Sequence, residues 1–304
     1  MPEPHRAGFV SILGRPNAGK STLLNALIGG KLAIVSEKPQ TTRTSIEGVL
    51  TLDNAQVIFL DTPGIHKSTT LLNKRMMSTV RTSLSDRDLL LYLNDVNASF
   101  TGEDAQALDV LAKHETPAFL VLTKIDRLSD KRMLLPRIEQ IKAIREFAEY
   151  LPISAVKGEG LDQLRAAILA RLPEAPAYFP ADYLTDQPER FLAAELIREQ
   201  ILRETRQEVP HSVAVVIEKW DESPRLTRIS AAIFVERAGQ KAIVIGAKGA
   251  TLKKIGTLAR HEMERLLNRK IFLELFVKVQ KDWRDSEEFL NSIDWRSMRG
   301  GESD

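Results

Sequence analysis

Continuous apolar runs recur along the first 170 residues, at AGFVSIL (7–13), AQVIFL (55–60), DLLLYL (88–93), PAFLVL (117–122) and YLPIS (150–154). Between most of them lie mixed-polarity segments of helical length, at 20–29, 68–85, 101–114, 131–149 and 161–171. A strand covered on both faces shows an unbroken apolar run, so this succession predicts an α/β domain with a mostly parallel sheet between helical layers. Only Asp53-Asn54 separates 46–52 from 55–60, which predicts a hairpin and one antiparallel edge strand.

The pattern breaks at RLPEAPAYFPADYLTDQP, where Pro173, Pro176, Pro180 and Pro188 exclude both a helix interior and a central strand. Residues 173–188 therefore read as a semi-rigid linker between a domain at 1–172 and another at 189–304. Beyond it the pattern predicts helix (189–207), strand (211–219), strand (226–236), strand or turn (241–245), helix (250–268) and strand (270–280). That is a smaller α+β domain, ending in a tail, RSMRGGESD, expected to fray.

Composition narrows the classes. A chain of 304 residues with 43% hydrophobic and 28% charged residues is long enough for two domains and is not disordered throughout. The absence of cysteine excludes disulfides, thiolate metal sites and cysteine nucleophiles. No apolar run reaches the length of a membrane span, and MPEPHRAGFV lacks the layout of a signal peptide. The expectation is a soluble, cytoplasmic protein without a transmembrane segment.

Gly14-Arg15-Pro16-Asn17-Ala18-Gly19-Lys20-Ser21 fits G-x-x-x-x-G-K-[ST], between an apolar run and a helical segment. Backbone N–H groups of such a loop point inward around a phosphate chain, and the dipole of the following helix adds to them. Gly14, Asn17, Ala18, Gly19, Lys20, Ser21 and Thr22 are the expected phosphate contacts. Lys20 would reach the β- and γ-phosphates, and Ser21 would hold Mg²⁺. Three further motifs end apolar runs. In Asp61-Thr62-Pro63-Gly64, the carboxylate can serve the Mg²⁺ shell and Gly64 lets the main chain approach a γ-phosphate. In Thr123-Lys124-Ile125-Asp126, the last carboxylate can accept from the N1–H and 2-amino group of guanine, a donor pair adenine lacks. Ser154-Ala155 can meet the base from its other side. Gln40-Thr41-Thr42-Arg43 offers a threonine, Thr42, to the metal. Each tetrad is common in loops; their order and their placement at strand ends make them informative together.

In the second domain, Gly246-Ala247-Lys248-Gly249 is a G-x-x-G followed by an amphipathic helix. Four residues of this kind arise by chance about once in such a chain. Charge adds weight: Arg237–Lys281 holds 11 basic and 3 acidic residues, a net of +8, while the whole chain carries only +2. Positive charge gathered around one Gly-rich turn suits a nucleic-acid backbone. A solvated basic helix face is the blander alternative. Ile245, Gly246, Ala247, Lys248 and Gly249 are the candidate RNA contacts. Trp283 could stack on a base, although core packing is the commoner role of such a residue.

GRPNAGKS, QTTR, DTPG, TKID and SA resemble the nucleotide motifs of translation-factor-related P-loop GTPases, in the branch that contains Era and its relatives. The G-x-x-G and its surroundings resemble a bacterial-type (type II) KH domain. Joined by the linker, the two halves resemble the Era family of ribosome-assembly GTPases over nearly the whole chain. The resemblance implies Mg²⁺-dependent hydrolysis of GTP to GDP, with switch loops around 36–45 and 61–75. It implies catalytic positions at Lys20, Thr42 and Gly64, metal ligands at Ser21, Thr42 and Asp61, and guanine contacts at Lys124 and Asp126. It also implies binding to the 3′ end of 16S ribosomal RNA and a role in 30S subunit assembly, as a monomer with peripheral inner-membrane attachment. Asn17 is a candidate K⁺ ligand by the same resemblance. Ile65 stands where Ras-like enzymes orient the attacking water with glutamine, so slow intrinsic hydrolysis is expected. Thr123 replaces the usual asparagine, whose amide ties the base loop to the phosphate loop, so that tie is expected to be lost while Asp126 keeps the specificity; the effect on affinity is left open. An RNA-binding scaffold with a poorly hydrolytic nucleotide site is the alternative reading.

Overall fold

The computed structural model describes residues 4–38, 40–65, 69–205, 209–210 and 212–295. By internal contacts the chain forms two units. The first comprises 1–35, 42–68 and 73–186; the second comprises 36–41, 69–72 and 187–304.

The first unit runs β1 (Arg6–Gly14), α1 (Lys20–Ile28), β2 (Ile46–Leu52), β3 (Ala55–Asp61), α2 (Leu71–Thr82), β4 (Leu89–Asp95), α3 (Gly102–Ala112), β5 (Ala118–Thr123), α4 (Leu134–Lys142), β6 (Glu149–Pro152) and α5 (Leu161–Arg171). The sheet order is β2-β3-β1-β4-β5-β6, parallel except for the β2–β3 hairpin at one edge. Every residue of β3, β4 and β5 is buried, the physical origin of their unbroken apolar runs. On one face Leu89, Leu91, Leu93 and Val121 meet Leu23, Leu27 and Ile168. On the other Leu90, Tyr92 and Leu120 meet Val80, Leu108 and Ile141. The helical prediction for 131–149 shortens in the structure, because the helix spans Leu134–Lys142 and a tight turn over Lys131–Met133 precedes it.

The proline-rich segment is secured on the first unit. Gln56 donates to the Phe179 carbonyl at 2.9 Å and accepts from the Tyr178 and Phe179 N–H groups, while Val49 N–H donates to the Leu184 carbonyl at 2.9 Å. Phe179 and Tyr183 stack at 4.5 Å beside Val49 and Ile58.

The second unit adds α6 (Glu189–Glu204), β7 (Ala214–Glu222), β8 (Thr227–Val235), α7 (Ala238–Ile245), α8 (Ala250–Leu267), β9 (Ile271–Val279) and α9 (Glu287–Ser292). Its sheet runs β7-β8-β9, antiparallel then parallel. Residues 241–245, expected as strand or turn, lie instead in α7. The Gln240 side chain accepts from the N–H groups of Glu236 and Arg237 at 2.9 and 3.0 Å, which starts a helix before the β-branched residues can extend. The order is therefore helix–strand–strand–helix–helix–strand. Trp283 is fully buried, with its indole N–H on the Ser212 carbonyl at 3.0 Å, so it packs in the core. The expected tail, 296–304, and the first residue of the expected strand 211–219 lie outside the described residues.

Candidate functional site

The parallel strands β1, β3, β4 and β5 deliver their carboxyl ends to one edge of the sheet, where doubly wound folds bind ligands. The phosphate loop spans β1 and α1. Lys20 is buried, with Nζ donating to the carbonyls of Gly14 and Arg15 at 3.1 and 3.0 Å. Burial lowers its pKa to about 8, and the Asp61 carboxylate works against that shift. Asp61, at the end of β3, is fully buried and its pKa is raised by burial, opposed by Lys20, Ser21, Thr42 and the Thr62 N–H.

Around Asp61 an oxygen cluster assembles. Ser21 Oγ lies 2.8 Å from Thr42 Oγ1 and donates to Asp61 Oδ2 at 2.6 Å; Thr42 Oγ1 donates to the same oxygen at 3.2 Å. Asp61 Oδ1 is buried without a hydrogen-bond partner. Two hydroxyls and a carboxylate form a hard-oxygen set, and an orphaned buried carboxylate oxygen is what a hydrated cation satisfies, so these residues fit Mg²⁺. Gly64 lies against the phosphate loop: a Cβ there would stand 2.8 Å from Pro16 Cα and N, leaving glycine as the residue that fits. Ile65 is fully buried in the helical layer and its N–H donates to the Gly14 carbonyl at 3.2 Å. It faces the core, which accords with its inability to orient a water.

The base loop corrects one expectation. Thr123 Oγ1 donates to the Ala18 carbonyl at 2.8 Å, with the Asn94 carbonyl at 3.3 Å, so the hydroxyl makes the tie expected only of an amide. Lys124, in left-handed backbone geometry at φ 61°, adds a second tie through Nζ to the Asn17 carbonyl at 2.7 Å. Thr123→Val keeps the shape but leaves the Ala18 carbonyl without this donor, a loss of about 1–3 kcal/mol. GDP affinity, read by fluorescent-nucleotide titration, is expected to fall about tenfold or more, with little change in overall helicity.

Three contributors, Asp95, Asp104 and Arg15, were not among the expected site residues. Asp95, at the end of β4, pairs with Lys124 Nζ at 2.8 Å. Burial works to raise the Asp95 pKa, but Lys124 and the Asn97 N–H outweigh it and hold it low. Ser154 Oγ donates to Asp126 Oδ1 at 2.6 Å and so fixes the orientation of that carboxylate. Ala155 follows, half-buried. Arg15, within the phosphate loop itself, pairs with the buried Asp104 at 3.3 Å. No motif marked Asp95 or Asp104, because their partners are distant in sequence.

In the second unit the G-x-x-G joins α7 to α8. Gly246 has φ 73°, and a Cβ there would lie 2.1 Å from Thr251 Oγ1. Lys248 is left-handed at φ 51°. Ala247 and Lys248 are exposed, and Ile245 and Gly249 are partly so. Ile243, 48% exposed on α7, joins this group and was missed because its run was taken for a strand. The loop opens an 18-residue helix with no acid in its first turn, a favourable setting for phosphate. Gly246→Ala is expected to reshape the loop through that contact and to weaken single-stranded RNA binding about tenfold in a filter or anisotropy assay, leaving GDP affinity unchanged.

Fold and site together define a P-loop GTPase joined to a KH domain. Residues 9–124 match the family model for the 50S ribosome-binding GTPase, and residues 208–284 match that for the KH domain. The chain is 49% identical over 292 residues to GTPase Era of Geobacter metallireducens, covering 95% of this chain and 98% of that protein. It is 46% identical over 290 residues to GTPase Era of Staphylococcus haemolyticus, covering 95% and 97%. A crystal structure of Era in complex with MgGDPNP and nucleotides 1506–1542 of 16S ribosomal RNA matches with TM-score 0.93 at 40% identity, over 96% of this chain and 99% of that one. Aquifex aeolicus Era bound to GDP·AlF4⁻ matches with TM-score 0.92 at 40% identity, over 95% and 99%.

The chain belongs to the Era family of GTPases. It hydrolyses GTP. Among the described residues no helix is long and apolar enough to cross a membrane.

Proposed function

We propose that this GTPase reads the 3′ region of 16S ribosomal RNA through its KH domain and uses GTP hydrolysis as a timer in assembly of the 30S subunit. In this reading Lys20 engages the β- and γ-phosphates, and the main chain of Gly14 through Thr22 cradles the phosphate chain. Ser21 and Thr42 hold Mg²⁺ with Asp61 acting through its shell. Bound there, the cation neutralises charge developing on the transferred phosphoryl group. Gly64 brings the main chain of the second switch loop to the γ-phosphate. Lys124 and Asp126 read guanine, with Thr123, Ser154 and Ala155 holding the base loop. Ile243, Ile245, Ala247 and Lys248 offer apolar and cationic contacts to a single strand at the G-x-x-G.

The observation that carries the reading is the G-x-x-G loop, exposed at a helix N-terminus within a stretch of net charge +8. The likeness of the whole chain to an Era crystallised with 16S RNA nucleotides supports it. Parts of both expected switch loops, residues 36–41 and 69–72, also belong to the second unit. Within that unit, the buried Arg198 guanidinium donates to the Thr41 carbonyl, one residue before Thr42, and Leu71 N–H donates to Asp285 at 2.8 Å. If GTP binding and RNA binding are coupled in this chain, linkage makes that coupling reciprocal.

The test is GTP turnover with a short RNA copying the 16S 3′ end, against a scrambled RNA of equal length at one salt concentration. Selective acceleration is expected; equal turnover with both RNAs would refute the RNA-sensing half. A parallel run in KCl and NaCl at matched ionic strength tests Asn17 as a K⁺ ligand, with faster turnover expected in KCl.

A further inference from the structure

The Arg15 side chain turns toward the N-terminus of α3. There its guanidinium donates to the Ser99 carbonyl at 3.1 Å and to Asp104 Oδ2 at 3.3 Å. Asp104 is fully buried, and five donors converge on its carboxylate. Besides Arg15, Oδ2 receives the Thr101 N–H at 2.9 Å and the Thr101 hydroxyl at 3.1 Å. Oδ1 receives Asn94 Nδ2 at 3.1 Å and the Tyr92 hydroxyl at 3.3 Å. Arg137 steadies the same corner from α4, donating to the Ala98 carbonyl at 2.6 Å and to Asn94 Oδ1 at 3.5 Å. A carboxylate bonded on both oxygens, from β4 and from the start of α3, has one place to be, and among the described residues Arg15 is the charged partner it holds within salt-bridge distance.

Arg15 matters through its main chain. Its carbonyl accepts from Lys20 Nζ at 3.0 Å and from the Ala18 N–H at 3.3 Å, the bond that closes the phosphate loop. The order of contacts is therefore Asp104 to the Arg15 side chain, the Arg15 peptide to Lys20, and Lys20 to the phosphates.

We infer that Arg15 and Asp104 form a positioning clamp for the phosphate loop, setting where the Lys20 ammonium stands when the γ-phosphate is transferred. The inference rests on the reading of Lys20 as the phosphate lysine. Neither clamp residue touches substrate through its side chain. Misplacing a charge by about 1 Å can cost roughly 10² in rate while leaving ground-state binding largely intact.

The test uses the full chain with Mg²⁺, measuring kcat and KM for GTP and the affinity for a fluorescent GDP. Turnover is expressed per bound nucleotide, so that misfolded protein does not count. Arg15→Ala and Asp104→Asn are each expected to lower kcat about 10- to 100-fold, with KM and GDP affinity changed less than about threefold. Arg15→Lys, which keeps the charge, should recover part of the loss. The Arg15→Ala/Asp104→Asn double variant should be no worse than the poorer single one, because both remove one contact. The clamp is overturned if kcat per site stays within twofold of native in either single variant, or if the single losses multiply in the double. Lys20→Ala runs alongside: its inactivity supports the chain of contacts, and turnover surviving in it would overturn the reading of the lysine on which the clamp depends.

Discussion

Lys20→Ala is expected to lower GTP turnover by about 10³-fold or more, measured as phosphate release under saturating GTP and Mg²⁺. The ammonium lies inside the protein between two carbonyls, where its charge is screened far less than in water. Fixed charges directed at a transferring phosphoryl group supply losses of this order when removed. A stability signature should accompany the rate. Burial lowers the Lys20 pKa from 10.5 to about 8, so at pH 7 the folded protein carries a buried cation that the unfolded chain keeps in water. Between pH 8 and 10.5 the unfolded chain binds more protons at this site, and native stability should rise relative to Lys20→Ala over that window. The difference integrates to on the order of 3 kcal/mol. Thermal melts of both proteins without nucleotide, at pH 7 and pH 10, check it; a constant gap in melting temperature would contradict it.

Asp126→Asn is expected to weaken GTP binding by about 10²- to 10⁴-fold and to favour xanthosine triphosphate. A carboxylate accepts from both the N1–H and the 2-amino group of guanine, and bonds to a charged group are worth about 1.5–3 kcal/mol each. An amide keeps one acceptor and sets an N–H against the 2-amino group. Xanthine carries a carbonyl there and accepts from it. Ser154 can still donate to the amide oxygen, as it does to Asp126 Oδ1 at 2.6 Å, so the loop should keep its form. Competition of GTP and XTP against fluorescent GDP separates the outcomes: equal weakening for both would mean that Asp126 shapes the loop rather than reads the base.

Much of the candidate nucleotide site could be picked out along the chain because the motifs that mark it follow chain-local rules. GRPNAGKS places successive N–H groups and a lysine within eight residues, and the apolar runs before DTPG and TKID mark the strand ends that present them. Thr123 was legible in position, but the tie it makes was not. Replacing an amide by a hydroxyl reads as a loss until the Ala18 carbonyl is seen 2.8 Å away. Residues 241–245 were misread because Ile, Val and Ile favour strands locally, whereas Gln240 caps a helix that the surrounding unit buries at Val244.

By itself, the sequence determined the fold class, the order of motifs and the chemistry each side chain could offer, since periodicity and residue type are properties of short stretches. It could not show that Asp104 and Arg15 meet across 89 positions, that Asp95 holds Lys124, or that Ser154 steadies Asp126. Those pairings depend on which strand ends lie side by side. In a sheet ordered β2-β3-β1-β4-β5-β6 that is settled by burying two helical layers at once, a global condition that no local pattern records.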